Sequence, residues 1–173
     1  AWLAAGLAWL AFILPAPALS QAAAPAGAVP DPYTQRERDW RNGAIVYQVL
    51  VDRFAPAANL EAKRSLYAPP KTLRRWDEVP TAGSYVESAK VWSHEIDFWG
   101  GDLQSLRGKL DHVQQLGATV LYLNPIHLGY TNHKYDSLDF QAVSPEFGTR
   151  EDVKALARDL HQRGMKLVLD GVF

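Results

Sequence analysis

The 173-residue chain carries 18 Lys and Arg against 19 Asp and Glu, a formal net charge of −1 with the histidines neutral. Such an even balance offers no basic face for nucleic acid, and a content of 47% hydrophobic and 21% charged residues describes a globular chain, not a disordered one. There is no cysteine, which excludes a disulfide framework and any thiolate metal site.

The first segment stands apart from the rest. Residues 1–14, AWLAAGLAWLAFIL, are apolar throughout, and the small, Pro- and Ala-rich PAPALSQAAAPAG follows. This order matches the h-region and cleavage region of a secretory signal, with Ala18 and Ser20, or Ser20 and Ala22, as the small residues before a cut. The apolar run falls short of the roughly 20 residues that a membrane-spanning helix needs. The alternative is an uncleaved N-terminal anchor. Residues 1–22 are therefore expected to be a signal peptide, which makes the protein secreted or periplasmic, with no membrane attachment after cleavage. Residues 23–41 hold three prolines and read as an extended leader, and residues 42–173 read as the folded domain.

Within that domain GAIVYQVLVDRF, residues 43–54, is rich in β-formers without clean alternation. Continuous apolar runs of this kind suit a parallel sheet covered on both faces. Residues 55–99 carry scattered Pro, Gly and charge and read as loop. Residues 101–117, GDLQSLRGKLDHVQQLG, place Leu103, Leu106, Leu110, Val113 and Leu116 at helical spacing, with Asp102 as cap and Gly117 as stop. ATVLYLNP, residues 118–125, is a second strand, and a second long loop covers residues 126–147. TREDVKALARDLHQRG, residues 149–164, is a second helix with Thr149 and Asp152 in an approximate capping box and Val153, Leu156, Ala157 and Leu160 facing inward. MKLVLDGVF, Met165 to Phe173, is a third strand.

Strand, helix, strand, helix, strand implies right-handed crossovers and a parallel α/β sheet. Each strand-to-helix connection is long and each helix-to-strand connection is short. In a (β/α)8 barrel the strand-to-helix loops gather at the C-terminal face, where chemistry sits. An open doubly wound sheet also binds ligands at strand C-termini, but neither strand is followed by a G-x-G-x-x-G turn. A whole barrel needs eight such units and about 250 residues. The expected architecture is therefore a partial TIM barrel, its first three strands and two helices.

Three segments carry groups suited to chemistry. Asp170 falls at the C-terminal end of the third strand, and its plain alternative is a strand-ending carboxylate bonded to loop amides. HKYDSLDF, residues 133–140, offers an imidazole, a phenol and two carboxylates on the same face, the mixture that sugars need; it also reads as an ordinary polar loop. FWGGDL, residues 98–103, has two glycines and Asp102 at a helix start, for which capping suffices. Trp92 and Trp99 nearby either line a sugar groove or pack within their own loop.

In order and spacing, IVYQVLVDRF, FWGGDL, LDHVQQLGATVLYLNPIH, NHKYDSLDF and GMKLVLDGVF resemble the start of the α-amylase superfamily, glycoside hydrolase family 13, over residues 44–173. The wording N-H-K-Y-D and L-D-G-V-F is nearest to the neopullulanase, cyclomaltodextrinase and maltodextrin glucosidase branch. The resemblance implies a retaining hydrolase of α-1,4-glucans such as starch and maltodextrins. In it His133 would bind a sugar hydroxyl at the cleavage subsite, Tyr135 would stack on that ring, Asp170 would organise the subsite, and Asp139 would support the loop. The catalytic carboxyl pair of the family comes from later strands. The dyad is therefore expected beyond Phe173, none is assigned among these residues, and the segment alone is expected to be inactive. Calcium is the cofactor that the resemblance raises, with Gly100 and Asp102 as ligands, although the run APAANLEAK after D-R-F supplies few oxygens, from Asn59 and Glu61; calcium takes six to eight. The rival readings are a member of the same barrel family that binds glucan or a protein partner without hydrolysis, an α-glucan transglycosylase, and an unrelated TIM-barrel enzyme.

Overall fold

The structure is a computed structural model that describes residues 31–172. The expected signal peptide, residues 1–22, lies outside the described residues, and so does Phe173. The chain divides into two units, residues 1–39 and 40–173.

In the first unit, helix α1 (Pro32–Arg38) replaces the extended leader expected there. Its start is chemically specified. Asp31 accepts from the Tyr33 and Thr34 amides at 2.9 and 3.2 Å, and Pro32 at the first position has no amide to leave unpaired.

The second unit opens with β1 (Val46–Val49), then a 3-10 turn (Val51–Arg53) and a 3-10 helix (Glu61–Tyr67). The stretch read as loop then forms β2 (Thr72–Leu73), β3 (Tyr85–Val86), β4 (Val91–Trp92), α2 (Ser93–Ile96) and β5 (Asp97–Phe98). β2 pairs parallel with β5, and β3 and β4 make an antiparallel hairpin. These pieces are two to four residues long, too short for any periodicity to show.

The expected first helix is two: α3 (Leu103–Arg107) and α4 (Leu110–Gln115), separated at Gly108 and Lys109, where the Lys109 backbone leaves the helical region (φ −114, ψ 10). Leu103, Leu106, Leu110 and Val113 are buried as their spacing predicts, but Leu116 falls past the end of α4 and is exposed. After β6 (Val120–Leu123), residues 126–147 form a hairpin of β7 (His127–Gly129) and β8 (Ser137–Val143), antiparallel with bulges, and not an open loop. Helix α5 (Arg150–Gln162) has the capping box expected at Thr149 and Asp152. The last described element, β9 (Lys166–Leu169), is shorter than the strand expected to run to Phe173. Its pairing with β6 stops at Leu169, where β6 itself ends at Leu123, so Asp170 stands just past the ladder.

β1, β6 and β9 form one parallel sheet in the order β1-β6-β9, with Val49, Leu123 and Leu169 in register at the C-terminal edge. The central strand is buried along most of its length, whereas Val46 on β1 and Leu169 on β9 are about half exposed. The core lies between sheet and helices. Leu121 and Leu123 meet Leu103, Leu106, Leu110 and Val113 from α3 and α4, Leu156 and Leu160 from α5, and Phe147. Each such side chain contributes about 1.5–3 kcal/mol by leaving water. Arg107 locks α3 to α5 through two bonds to Asp159 Oδ2, at 2.9 and 2.7 Å. The parallel register places every residue that follows a strand on one edge, and that edge carries the groups considered next.

Candidate functional site

Three carboxylates organise the C-terminal edge: Asp52, Asp136 and Asp170. Asp52, after β1, is fully buried and accepts from the amides of Trp99 (2.9 Å) and Gly100 (2.9 Å). Burial pushes its carboxyl up to about 6, against the pull of those amides and of Arg53. It pins the W-G-G turn to the end of β1, and the Gly101 amide adds a bond to the Asp52 carbonyl at 2.8 Å. A Cβ on Gly101 would run into the Val51 and Asp52 carbonyl groups, so only glycine fits.

Asp136 holds the N-H-K-Y-D loop. It accepts from the Tyr130 amide (2.8 Å), the Thr131 amide (3.1 Å) and the Thr131 hydroxyl (2.5 Å). Burial raises its carboxyl, but those bonds outweigh burial and leave it below the usual range. Asp139, the carboxylate expected to support this loop, sits exposed on β8 opposite Leu128 of β7, and its side chain accepts from the Gln141 amide at 2.7 Å.

Beneath the loop lies a buried charge cluster that no sequence pattern marks. Lys134 is fully buried at φ 59, between the rings of Phe98 and Phe147, each 5.2 Å from its ammonium. It donates to the Gly129 carbonyl at 2.9 Å and faces Glu146 at 3.3 Å. Glu146 also receives Lys71 at 2.6 Å and the Ser144 hydroxyl at 2.5 Å. Asn132 completes the support by donating to the His94 and Asp97 carbonyls at 2.7 and 2.9 Å.

On this platform the three expected substrate residues come together. The Tyr135 hydroxyl donates to Asp170 Oδ2 at 2.5 Å, and the His133 and Tyr135 rings lie 5.6 Å apart at 37°. That bond to Asp170 pushes the phenol up to about 12, so Tyr135 stays a neutral donor at physiological pH. The Asp170 amide itself bonds the Leu123 carbonyl at 3.0 Å, which fixes the carboxylate at the end of β9 beside β6. The Tyr135 amide donates to His133 Nδ1 at 3.1 Å, which leaves the neutral imidazole's proton on Nε2. Nε2 faces Glu95 Oε1 at 3.5 Å. Tyr135 is 39% exposed, so its ring is open to a ligand. A half-open aromatic ring flanked by an imidazole donor and a carboxylate acceptor suits a sugar, with C–H patches against the ring and hydroxyls on the polar groups.

The tryptophans differ in exposure. Trp99 is largely buried, with Arg53 stacked 4.2 Å over its ring and its indole N–H bonded to the Glu78 carbonyl, and its remaining surface lines a pocket with Arg53, Trp76 and Pro80. Trp92 on β4 is about half exposed.

The G-G-D turn does not fit a calcium ion. Asp102 Oδ1 caps α3 by accepting from the Ser105 amide at 2.7 Å, and Oδ2 is taken by the Lys63 ammonium at 2.5 Å. Gly100 lies directly under the Leu60 side chain. Among the described residues no group of three or more His, Asp or Glu is placed to hold a metal. The catalytic dyad expected beyond Phe173 falls outside the described residues, which end at Val172.

Comparison with known proteins agrees with this geometry. The family described as alpha amylase, catalytic domain, matches residues 48–173. The amylopullulanase of Thermoanaerobacterium saccharolyticum is 39% identical over 145 residues, which cover 78% of this chain and 11% of that protein. The cyclomaltodextrinase of Thermoanaerobacter pseudethanolicus is 33% identical over 135 residues, 78% of this chain and 20% of its own length. Among solved structures, the cyclic alpha-maltosyl-(1→6)-maltose hydrolase of Arthrobacter globiformis, in complex with cyclic alpha-maltosyl-(1→6)-maltose, superposes with a TM-score of 0.60 at 36% identity, covering 76% of this chain and 25% of that one. The chain thus spans a quarter or less of each of these relatives. With a parallel sheet, a sugar-suited constellation at its C-terminal edge and a family match over most of its residues, this chain belongs to the α-amylase catalytic-domain family.

Proposed function

We propose that the chain forms one wall of the active-site mouth in a secreted retaining glycoside hydrolase that acts on α-1,4-glucans, as the opening part of a longer barrel. The observation that carries this is the Tyr135–Asp170 bond of 2.5 Å beside the His133 ring, at the shared C-terminal edge of three parallel strands. Tyr135 stacks on the sugar at the cleavage subsite, His133 Nε2–H donates to one of its hydroxyls, and Asp170 accepts from others while holding the phenol in place.

A retaining mechanism needs two carboxyl groups about 5–5.5 Å apart, one as nucleophile and one as acid/base. The carboxylates near this site have other duties. Asp136 is saturated by three loop donors, and Asp170 is committed to Tyr135. As the resemblance to the family implies, the dyad is assigned to later strands of the barrel, beyond Phe173. Secretion rests on the apolar residues 1–14 and the small residues after them.

The test uses the whole protein that carries this segment. Purified protein is incubated with maltodextrins, and the products are followed by reducing-sugar release and by NMR of the new anomeric centre. Release of α-configured maltooligosaccharides, weakened in Tyr135→Ala and in Asp170→Asn, is expected. Transfer products without net reducing-sugar release would move the reading to a transglycosylase. Binding without turnover would move it to a glucan-binding protein.

A further inference from the structure

The G-G-D turn meets two other segments at one point, and a side-chain cation sits there. Lys63 lies on the 3-10 helix Glu61–Tyr67, Asp102 caps α3, and Glu146 lies in the turn that leads to α5. The Lys63 ammonium is 2.5 Å from Asp102 Oδ2 and 3.4 Å from the Glu146 backbone carbonyl. Both side chains of the pair are largely buried, 21% exposed for Lys63 and 6% for Asp102. We infer that the Lys63 ammonium is the resident cation of this junction and does the cross-linking that a divalent ion would otherwise do.

Charge balance supports the assignment. Three carboxylates, Asp102, Glu146 and Asp152, surround the junction, and three ammonium groups, Lys63, Lys71 and Lys134, answer them. Lys63 already pairs with the Asp102 carboxylate and acts on that of Asp152, so a dication at this point would have to displace an ammonium that is bonded there. Ligand count points the same way, because Asp102 has one oxygen committed to the helix cap and Asp152 bonds Gln104 and Thr149. An ammonium has three donors and no need of six to eight oxygens.

The experiment measures Tm on the whole protein that carries this segment, with and without EDTA, for wild type, Lys63→Met, Asp102→Asn and the double variant. EDTA is expected to shift wild type and Asp102→Asn equally, since a chelator-sensitive site elsewhere affects both alike. Lys63→Met is expected to lower Tm by several degrees, and adding Asp102→Asn to it is expected to cost nothing further, because the two groups act as a pair. A larger EDTA shift in wild type than in Asp102→Asn would place a metal on Asp102 and overturn the inference. So would an unchanged Tm in Lys63→Met, or losses that simply add in the double variant. If Lys63→Met does not fold, the EDTA comparison between wild type and Asp102→Asn still decides.

Discussion

Glu146→Gln tests whether the buried charge cluster holds the substrate loop in place. The wild-type carboxylate lies between Lys71 at 2.6 Å and Lys134 at 3.3 Å, and the side chains are 4%, 13% and 0% exposed for Glu146, Lys71 and Lys134. Gln keeps the shape and the Ser144 bond but leaves two largely buried ammonium groups without the carboxylate they share. Removing one partner of such a pair costs about 3–5 kcal/mol. At about 2–4 °C per kcal/mol for a domain of 150–250 residues, that is a fall in Tm of roughly 6–20 °C. The effect has a defined pH dependence. Burial raises the Glu146 carboxyl, but the charge of Lys134 and the bonds from Lys71 and Ser144 outweigh it and hold the folded value below the usual one. A depressed carboxyl stabilises the fold at neutral pH, and that stabilisation is lost as pH falls through the folded value. The gap between wild type and Glu146→Gln, measured by calorimetry, should therefore be full at pH 7 and close in acid. A gap under about 1 kcal/mol at neutral pH, or one that persists unchanged in acid, would refute the reasoning.

Other expectations are as direct. Tyr135→Ala in the whole protein should lower kcat/KM on maltodextrins by about tenfold, the equivalent of ~1.4 kcal/mol, with little change in Tm, because the ring is partly exposed and faces ligand; unchanged kcat/KM would remove Tyr135 from the site. Gly101→Ala should cost about 1–3 kcal/mol by overpacking against the Val51 and Asp52 carbonyls, and denaturant unfolding with less than half that loss would show that the turn gives way easily. Leu121→Ala, at a fully buried position of the central strand, should cost about 2–5 kcal/mol by the same measurement. The 173-residue segment on its own should release no maltose from starch, and measurable release would contradict the assignment of the dyad to strands beyond Phe173.

Much of this was written in the sequence because the long elements follow one period each. α5 has its Thr149 cap, its inward Leu156 and Leu160 and its stop near Gly164, and β6 is an unbroken apolar run. The grouping of His133, Tyr135 and Asp170 followed from topology, since parallel strands send the residues after them to one edge. The rest was illegible for physical reasons. The break between α3 and α4 leaves the apolar spacing intact, so periodicity cannot show it. The pieces between Thr72 and Phe98 are paired by contacts distant in the chain, not by local pattern. Buried Lys63, Lys71 and Lys134 look like any solvated lysine until their partners are known. Asp136 and Asp139 share one motif, and only the fold of the loop decides which one braces it. The Asp31-Pro32 start of α1 is a readable cap signal that Pro25 and Pro30 just before it obscure.

The most direct test is a crystal structure of the whole protein with a bound maltooligosaccharide. A glucose ring stacked on Tyr135, with hydroxyls within hydrogen-bond distance of His133 Nε2 and Asp170, is the expected result. Glucan bound elsewhere, with the Tyr135 face bare and the Tyr135–Asp170 bond pointing away from the sugar, would contradict the account.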